Sequence, residues 1–366
     1  LSNTSINIIL VCYICMVCLI ILVLVKENVI TAQKSEKLDM LAPHRIAIVI
    51  VSLLVIYDYY NTETPIVVRI KDPKFTLLEP YNASEPILIE DVYDQLIDLR
   101  NFTFKVNPQP CQEYTSGLLL VVMVSSNPYN FKNRMTIRNT WGRSVDSMKV
   151  VFLMGEVENI TTSSRIEDES LEYGDIVLGS FVDAYRNMSY KHVMGLKWVT
   201  HYCSTAKYIL KTDDDVVVNS HALRQFLSRE LSPWGAKNLI TCQVLEHAAV
   251  QRSQRSKWKV SPAEYEQHYY PTYCAGWAIL YSRDVVPRLL KGTQSTSYFW
   301  IDDVLITGIV AQKIGVPRTP LASLVLTWNR AKLLTSVGPQ YAGQFLLGPP
   351  DISVDKMTQI WKAIPE

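Results

Sequence analysis

The stretch that decides the fold is Tyr208-Ile-Leu-Lys-Thr-Asp-Asp-Asp-Val-Val-Val-Asn219, an apolar run interrupted by consecutive acids. Apolar and β-branched residues on both sides of the acids predict a buried strand. Carboxylates at the end of such a strand repel one another and lose hydration, so they need a cation or a set of hydrogen bonds. Residues two apart in an extended chain point the same way, so Asp213 and Asp215 are predicted to face one ion together.

Two interpretations of these acids follow from their chemistry. Hard divalent ions such as Mg²⁺ and Mn²⁺ take oxygen ligands and often hold the phosphates of a substrate. The plainer alternative is an acidic strand end that caps a neighbouring helix. Lys211 shares the face of Asp213, where a lysine either balances the acidic charge or contacts a phosphate. The rest of the chain favours a site for a metal and a diphosphate.

Predicted strands and helices alternate around the acidic stretch. Alternation of this kind predicts an α/β fold with a mostly parallel central sheet, in which ligands bind at the carboxyl ends of the strands. The acids lie at such an end. The sequence shows neither an internal repeat nor a Gly-rich phosphate loop. The predicted elements, strand and helix in turn, are 118–124, 133–142, 149–154, 167–173, 176–178 and 193–203.

The N-terminal part of the chain predicts a membrane protein. Ile6–Val25 carries no charge and is long enough to span a bilayer, and 46–57 is a second, shorter apolar run. We expect a membrane anchor region over 1–60, a lumenal stem over 61–110 and a catalytic domain over 111–366. A single-pass type II arrangement and a two-span arrangement both leave the catalytic domain on the non-cytosolic side.

Charge and cysteine content restrict the class of protein further. The net charge is +1 and no basic tract is present, which argues against nucleic acid as a partner. An even number of cysteines beyond the first apolar run allows two disulfides, with three possible connectivities. These later cysteines form no CxxC pattern, which argues against zinc. These cysteines are Cys111, Cys203, Cys242 and Cys274.

Four N-glycosylation sequons after the first apolar run support exposure to the lumen of the secretory pathway. They begin at Asn82, Asn101, Asn159 and Asn187.

Other polar and aromatic groups are candidates for the chemistry. Arg134 and Arg138 stand four apart on one face of a predicted helix, as either an anion-binding pair or a solvated surface pair. The aromatic-rich stretch 269–282 is typical of a platform for sugar rings, and hydrophobic packing explains it equally well. Asp302 and Asp303 open a predicted helix, so they either cap it or supply a general base for an acceptor hydroxyl.

Six short motifs occur in a fixed order along the chain. They are Arg134-x-x-Ile-Arg138-x-Thr-Trp-Gly142, Gly174-Asp-Ile with Phe181-x-Asp-x-Tyr-x-Asn187, Lys211-x-Asp-Asp-Asp215-Val, Lys257-Trp258, Tyr270-Pro-x-Tyr273-x-x-Gly276 and Asp302-Asp-Val304-x-x-x-Gly308. In this order the motifs resemble the β-1,3-glycosyltransferases, which include β-1,3-galactosyltransferases, β-1,3-N-acetylglucosaminyltransferases and Fringe proteins. The resemblance covers roughly residues 111–361.

This resemblance implies a Golgi membrane enzyme with a GT-A-like nucleotide-sugar-binding domain. Such enzymes use Mn²⁺ and a UDP-sugar and invert the anomeric centre. The branch that this chain resembles most transfers galactose from UDP-galactose to a glycan acceptor on a glycoprotein or glycolipid. The alternatives are transfer of N-acetylglucosamine on the same scaffold and a catalytically silent lumenal relative that acts as a chaperone or binds glycans.

By the same resemblance, individual residues take expected roles. Asp215 and Asp213 are the candidate metal ligands, Asp303 is the candidate base, and Asp302 is the second choice for the base. The residues expected near the nucleotide or its phosphates are Arg134, Arg138, Lys211, Asp213 and Asp214. Those expected to wall the sugar and acceptor pocket are Trp258, Tyr273, Gly276 and Trp277.

The chain departs from the family pattern in two places. Family members usually carry a histidine near the C-terminus that can complete the metal shell, whereas the last histidine here is His268. The corresponding stretch, Leu347–Ser353, contains Asp351, so either this carboxylate or water could take that position. The acidic pair reads Asp-Asp where Glu-Asp is common, which preserves both charges.

Overall fold

The computed structural model describes residues 74–80, 90–112, 117–341 and 343–365. The predicted membrane spans at 6–25 and 46–57 and the sequon at Asn82 lie outside these residues. Within the described part of the chain, no helix combines the length and the apolar character that a bilayer crossing requires.

The described residues alternate strands with helices, as the sequence predicts for an α/β fold. The strands are β1 Thr76–Leu77, β2 Phe104–Val106, β3 Leu120–Ser125, β4 Met148–Glu156, β5 Ile176–Val182, β6 Tyr208–Asp213, β7 Ala236–Lys237, β8 Ile240–Leu245, β9 Tyr273–Ser282 and β10 Thr319–Pro320. The α-helices are α1 Phe131–Asn139, α2 Ile160–Tyr173, α3 Met188–Tyr202, α4 Ser220–Gln225, α5 Val285–Gln294, α6 Ala311–Lys313, α7 Trp328–Ser336 and α8 Val354–Ala363.

Wider π-helical turns extend two of these helices. Phe226–Leu231 continues α4, and Val304–Val310 precedes α6. The second of these turns begins directly after the acidic pair at 302–303, so that pair lies at its N-terminus.

One eight-stranded sheet forms the centre of the fold, in the order β10-β8-β9-β6-β3-β4-β5-β2. Strands β3, β4, β5, β6, β8 and β10 run in one direction, whereas β2 and β9 run the opposite way. The prediction of a mostly parallel central sheet is therefore confirmed. Short β1 and β7 pair separately.

Both faces of the sheet are covered, which explains why the strands have continuous apolar runs rather than alternating ones. On β3, Val121 and Met123 pack into one core with α3 and α5, whereas Leu120 and Val122 pack into a second core that includes residues of α1 and α8. The side-chain period of two sends neighbouring residues to opposite faces, so every position of this strand is buried.

The sequence leaves the cysteine connectivity open, and the structure pairs Cys111 with Cys203 and Cys242 with Cys274. The Cα atoms of the two pairs are 5.3 and 5.6 Å apart, as disulfides require. The second bridge joins the adjacent strands β8 and β9.

Helix α2 begins earlier than its apolar pattern indicates. The sequence predicts a helix over 167–173, whereas the structure starts it at Ile160. Asn159 is the reason, because its side chain accepts a hydrogen bond from the backbone N–H of Thr162 and caps the helix. Gly174 ends the helix in the left-handed conformation, at a φ of 64°.

The folded unit also includes part of the segment expected to be stem. Leu96, Ile97 and Phe102 are buried in the first core, and β2 adds an antiparallel strand to the edge of the sheet beside β5. The side chain of Asp91 is fully buried between Lys197 and His201 of α3, and its carboxylate lies 2.9 Å from the imidazole of His201. Residues 90–110 therefore contribute core side chains and an edge strand to the domain, while most of their backbone lies in turns and loops.

We expect Phe102→Ala to lower the free energy of unfolding by about 3–5 kcal/mol, since it removes a fully buried ring and leaves a cavity. The matched control is Phe131→Ala, whose ring is 47% exposed and whose loss should have little effect. Urea unfolding of the full chain measures both values. Equal losses for the two variants would show that the 90–112 segment contributes no core.

Candidate active site

Strand order brings three distant parts of the sequence to one edge of the sheet. β3 and β6 are parallel with Ser125 opposite Asp213, so their carboxyl ends meet. β9 is antiparallel to β6 with Ala278 opposite Thr212, so the beginning of β9 lies at that same edge. The acids of 213–215, the loop after β3 and the residues around Gly276 are therefore neighbours.

The acids do not all lie on the strand. β6 ends at Asp213, and the two acids that follow form a turn. The two-residue alternation of an extended chain therefore does not relate Asp213 to Asp215, contrary to the expectation from sequence. Their proximity instead depends on how the turn folds.

Asp214 points to the loop after β3. Its carboxylate accepts hydrogen bonds from the Ser126 hydroxyl at 2.7 Å, from the Asn127 backbone N–H at 3.2 Å and from the Asn130 amide. Only 6% of the residue is exposed. Asp214 thus joins the ends of β3 and β6, and a direct contact with a nucleotide stays a prediction.

Lys211 lies between Asp213 at the end of β6 and the acidic pair at 302–303. Its buried ammonium lies 2.7 Å from the Asp213 carboxylate, 2.6 Å from the Gly276 carbonyl oxygen and 3.8 Å from the Asp302 carboxylate. Although burial opposes the charged form, these carboxylates keep the pKa of Lys211 above its ordinary value. Lys211 therefore balances acidic charge, which is one of the two roles that the sequence allowed.

Asp215 lies among carboxylates. Burial raises its pKa to about 7, and the charges of Asp213, Asp214 and Asp351 add to the rise. Asp351 is close because its segment pairs with the chain after the acids: the Ile352 backbone N–H donates to the Asp215 carbonyl oxygen at 3.1 Å. Nevertheless, among residues 74–365 as far as they are described, no three acidic, histidine or cysteine side chains are arranged to hold a metal by themselves.

Asp302 and Asp303 have different surroundings. Asp302 contacts Lys211 and also lies 2.8 Å from Nδ1 of His192. Asp303 accepts backbone hydrogen bonds from Val304 at 2.8 Å and from Gly276 at 2.9 Å. Asp303 thus caps the helical turn that follows it, as the plainer interpretation predicts, and at the same time contacts the beginning of β9.

These surroundings separate the pKa values of the two acids. Burial raises the pKa of Asp303 to about 7, and the negative charge of Asp302 contributes to that rise. Burial has the same tendency at Asp302, but Lys211 and His192 outweigh it and bring its pKa down to about 2. Two neighbouring carboxyl groups with separated pKa values are typical of a site in which one is a base and the other stays charged.

Gly276 is required by the close approach of Asp303. A Cβ atom built on Gly276 would lie 3.1 Å from a carboxylate oxygen of Asp303 and 3.2 Å from its Cβ. A side chain at position 276 would therefore displace the carboxylate, which gives this glycine a positioning role at the site.

The structure does not bring the guanidinium groups of Arg134 and Arg138 to the acidic end. Arg134 is buried and forms a bidentate pair with Glu169 of α2, at 2.8 and 2.6 Å. Arg138 contacts Glu169 and Asp175, at 2.8 and 2.7 Å. Arg134 also donates to the Ser126 hydroxyl, which in turn contacts the acid at 214. Arg134 thus supports the loop after β3, whereas Arg138 is held by the acids at 169 and 175. The expected contact of both arginines with a nucleotide stays a prediction.

The aromatic candidates occupy different positions. Tyr273 is half-buried and packs against Gly308, and its pKa is raised to about 12 by burial and by the charge of Asp303. Trp277 donates its indole N–H to Gln243 at 3.0 Å. Their expected place in the wall of the sugar and acceptor pocket stays a prediction.

Trp258 is 48% exposed and lies near a residue that the sequence analysis left without a role, Tyr185. Burial raises the pKa of Tyr185, a hydrogen bond with Trp258 opposes the rise, and the charges of Asp302 and Asp303 increase it. Tyr185 therefore lies close to Trp258 and near enough to the acidic pair to sense its charge. Its position within the motif that ends at Asn187 is the only sequence signal that singles it out.

His192 is the second residue that sequence reasoning missed. It is fully buried on α3 and contacts both Asp302 and Tyr281. A polar side chain among the apolar positions of a helix is the signal that could have identified it.

We expect Lys211→Met to lower the free energy of unfolding by about 3 kcal/mol, because it leaves two carboxylates without their shared cation. Lys132→Met is the matched control, since Lys132 is exposed on α1 and its replacement should change stability by less than about 0.5 kcal/mol. Denaturant unfolding compares the two. A Lys211→Met chain as stable as the control would contradict the role of Lys211 in joining the acids.

Comparison with known proteins identifies the family of this chain. A family model described as Galactosyltransferase matches residues 132–322. Beta-1,3-galactosyltransferase 1 of Homo sapiens is 30% identical over 226 residues, which cover 60% of this chain and 68% of that protein. Beta-1,3-galactosyltransferase 5 of Pan troglodytes is 30% identical over 208 residues, which cover 56% of this chain and 69% of that protein. The chain therefore belongs to the galactosyltransferase family, within the β-1,3-glycosyltransferases, and is a hexosyltransferase.

Proposed function

We propose that this protein is a Golgi β-1,3-galactosyltransferase that transfers galactose from UDP-galactose to a hydroxyl of a glycan acceptor, with inversion at the anomeric carbon. The acceptor is carried by a glycoprotein or a glycolipid. The observation that carries the proposal is the contact of one buried ammonium, Lys211, with Asp213 on one side and Asp302 on the other. This contact supports a diphosphate site at Asp213 beside the acidic pair, of which Asp303 is the member suited to act as a base.

The residues at the proposed diphosphate site, at the end of β6, are suited to bind a divalent cation. Asp213 and Asp215 supply oxygen ligands, which Mn²⁺ and Mg²⁺ accept, and the mutual repulsion of the carboxylates favours a bound cation. Because two carboxylates do not fill a coordination shell, diphosphate oxygens and water would occupy the remaining positions. When bound, the cation would offset the negative charge that develops on the departing diphosphate.

Asp303 is the residue best suited to take the proton of the acceptor hydroxyl. A base is most effective when its pKa is near the working pH, and that of Asp303 is raised to about 7. The low pKa of Asp302 makes it a weak base, which supports the order of preference drawn from the sequence. The backbone N–H groups of Gly276 and Val304 hold the Asp303 carboxylate in place.

The reaction follows from these positions. The acceptor oxygen forms a bond to the anomeric carbon of galactose on the face opposite the diphosphate, while its proton passes to Asp303. The bond between the anomeric carbon and the diphosphate oxygen breaks, and UDP leaves with the electron pair. Attack from the opposite face inverts the configuration.

The secretory pathway is the compartment that best fits the chain. Two disulfides favour an oxidising environment, and the Asn101 and Asn159 sequons lie at exposed positions. The uncharged run Ile6–Val25 supports a membrane anchor. We infer a Golgi membrane protein of type II topology with a lumenal catalytic domain.

The proposal is tested with the full chain, glycosylated in a secretory host and purified in detergent. UDP release is measured from UDP-galactose and from UDP-N-acetylglucosamine with a panel of β-linked acceptors, with Mn²⁺ and with a chelator. We expect Mn²⁺-dependent release from UDP-galactose. Release from UDP-N-acetylglucosamine alone would replace the sugar in the proposal, and a folded chain that neither binds UDP with Mn²⁺ nor releases it would identify a silent relative.

We expect Asp215→Asn to weaken Mn²⁺-dependent binding of UDP by at least about tenfold, because the variant loses a charged ligand. Titration calorimetry with Mn²⁺ and with chelator measures the effect. Asp168→Asn, at an exposed position of α2, is the control and should bind as the unchanged chain does. Unaltered affinity in Asp215→Asn would refute the metal assignment.

We expect Asp303→Asn to bind UDP normally and to transfer sugar about 100- to 10,000-fold more slowly. In the unchanged chain, Asp303 must lose its proton to act, so the transfer rate should rise with pH and level off above about 7. The pH profile of kcat/KM for the acceptor checks this direction. Normal turnover by Asp303→Asn, or a rate that falls between roughly pH 5 and 7, would move the base elsewhere.

A further inference from the structure

His192 lies beside Asp302 of the acidic pair. It belongs to α3, and its side chain has no exposed surface. Nδ1 lies 2.8 Å from Oδ2 of Asp302, and Nε2 lies 3.1 Å from the hydroxyl of Tyr281 on β9. Both ring nitrogens therefore have partners, which fixes the plane of the ring.

The two partners also fix the tautomer. Burial lowers the pKa of His192, despite the opposing effect of Asp302, so the ring is neutral at neutral pH. The ionised Asp302 can only accept, so Nδ1 carries the hydrogen and donates it. Burial raises the pKa of Tyr281 well above its ordinary value, so its hydroxyl keeps its proton and donates to Nε2. The direction of donation runs from Tyr281 through His192 to Asp302.

His192 and Lys211 contact the same oxygen of Asp302. The Lys211 ammonium is 3.8 Å from Oδ2, the atom that also accepts from His192. With two partners on one oxygen, the carboxylate cannot rotate without losing both contacts. The side chain is 14% exposed, so part of it reaches the surface of the site. Asp302 is thus held as a fixed negative charge next to Asp303.

We propose that His192 is a positioning residue for sugar transfer, which orients the Asp302 carboxylate through its Nδ1–H donor and thereby sets the environment of Asp303. The inference rests on the proposed function, because it requires Asp303 to act as the base. The raised pKa of Asp303 agrees with it, since the charge of Asp302 is one of its causes. The binding of the UDP-sugar should not depend on His192, because its contacts are to Asp302 and Tyr281 and not to the acidic strand end.

Two amide variants distinguish positioning from simple packing. The Nδ2 amide of asparagine occupies nearly the position of Nδ1 in histidine, so His192→Asn can still donate to Asp302. The longer glutamine places its amide near Nε2, beside Tyr281, so His192→Gln loses that donor. The pair therefore keeps a polar amide in the core and changes only which partner it reaches.

The experiment measures kcat, KM for UDP-galactose and the affinity for UDP–Mn²⁺ in the full chain and in both variants, with folding checked by thermal unfolding. We expect His192→Gln to lower kcat about 10- to 100-fold with KM and UDP affinity unchanged, and His192→Asn to recover most of kcat. A further variant, Tyr281→Phe, removes only the hydrogen bond to Nε2 and should lower kcat less than His192→Gln.

Other outcomes would overturn the inference. Equal kcat values for His192→Gln and His192→Asn, whether both high or both low, would show that the donor to Asp302 does not matter. A fall in UDP affinity that parallels the fall in kcat would indicate general disruption of the site. If the unchanged chain binds UDP–Mn²⁺ but transfers neither sugar, this result contradicts the proposed function. It also contradicts the positioning role of His192, which requires sugar transfer.

Discussion

A buried ammonium group organises this end of the molecule. Lys211 has almost no exposed surface, and a buried charge is tolerated only when opposite charges and hydrogen-bond acceptors surround it. Its acceptors come from the end of β6, the beginning of β9 and the acidic pair before the Val304–Val310 turn. The need to compensate one cation therefore brings together three segments that are far apart in the sequence, and the candidate donor and acceptor sides of the site share it.

The direction of β9 makes this arrangement possible. A parallel strand beside β6 would present its carboxyl end at the site, whereas the antiparallel β9 presents its beginning, where the chain enters from the aromatic-rich loop. Gly276 then lies close enough to Asp303 for its backbone N–H to contact the carboxylate. The Cys242–Cys274 bridge joins the same part of β9 to β8. Sheet topology thus places both the acids and their backbone donors.

Local sequence patterns predicted the framework well and the tertiary contacts poorly. Continuous apolar runs identify β3, β4 and β6 because both faces of the sheet are covered, and the family motifs select Asp303. The partner of Arg134 could not be predicted, because Glu169 lies on another helix. It stands in the polar run 167–170, a pattern typical of a solvent-exposed helix face. His192 was missed for a similar reason: its role depends on contacts with β9 and the acidic pair. The short apolar patch that includes Leu96 gave no indication that it enters the core.

The backbone at and after the acidic turn forms hydrogen bonds with a segment that lies much later in the sequence. Asn219 donates its backbone N–H to Leu346, and Gly348 and Ile352 donate theirs to Val217 and Asp215. A ribosome synthesises a chain from its N-terminus to its C-terminus, so the acidic turn is synthesised well before the residues that hydrogen-bond to it. A product shortened before residue 346 would therefore keep every proposed catalytic acid while lacking the backbone that holds the turn.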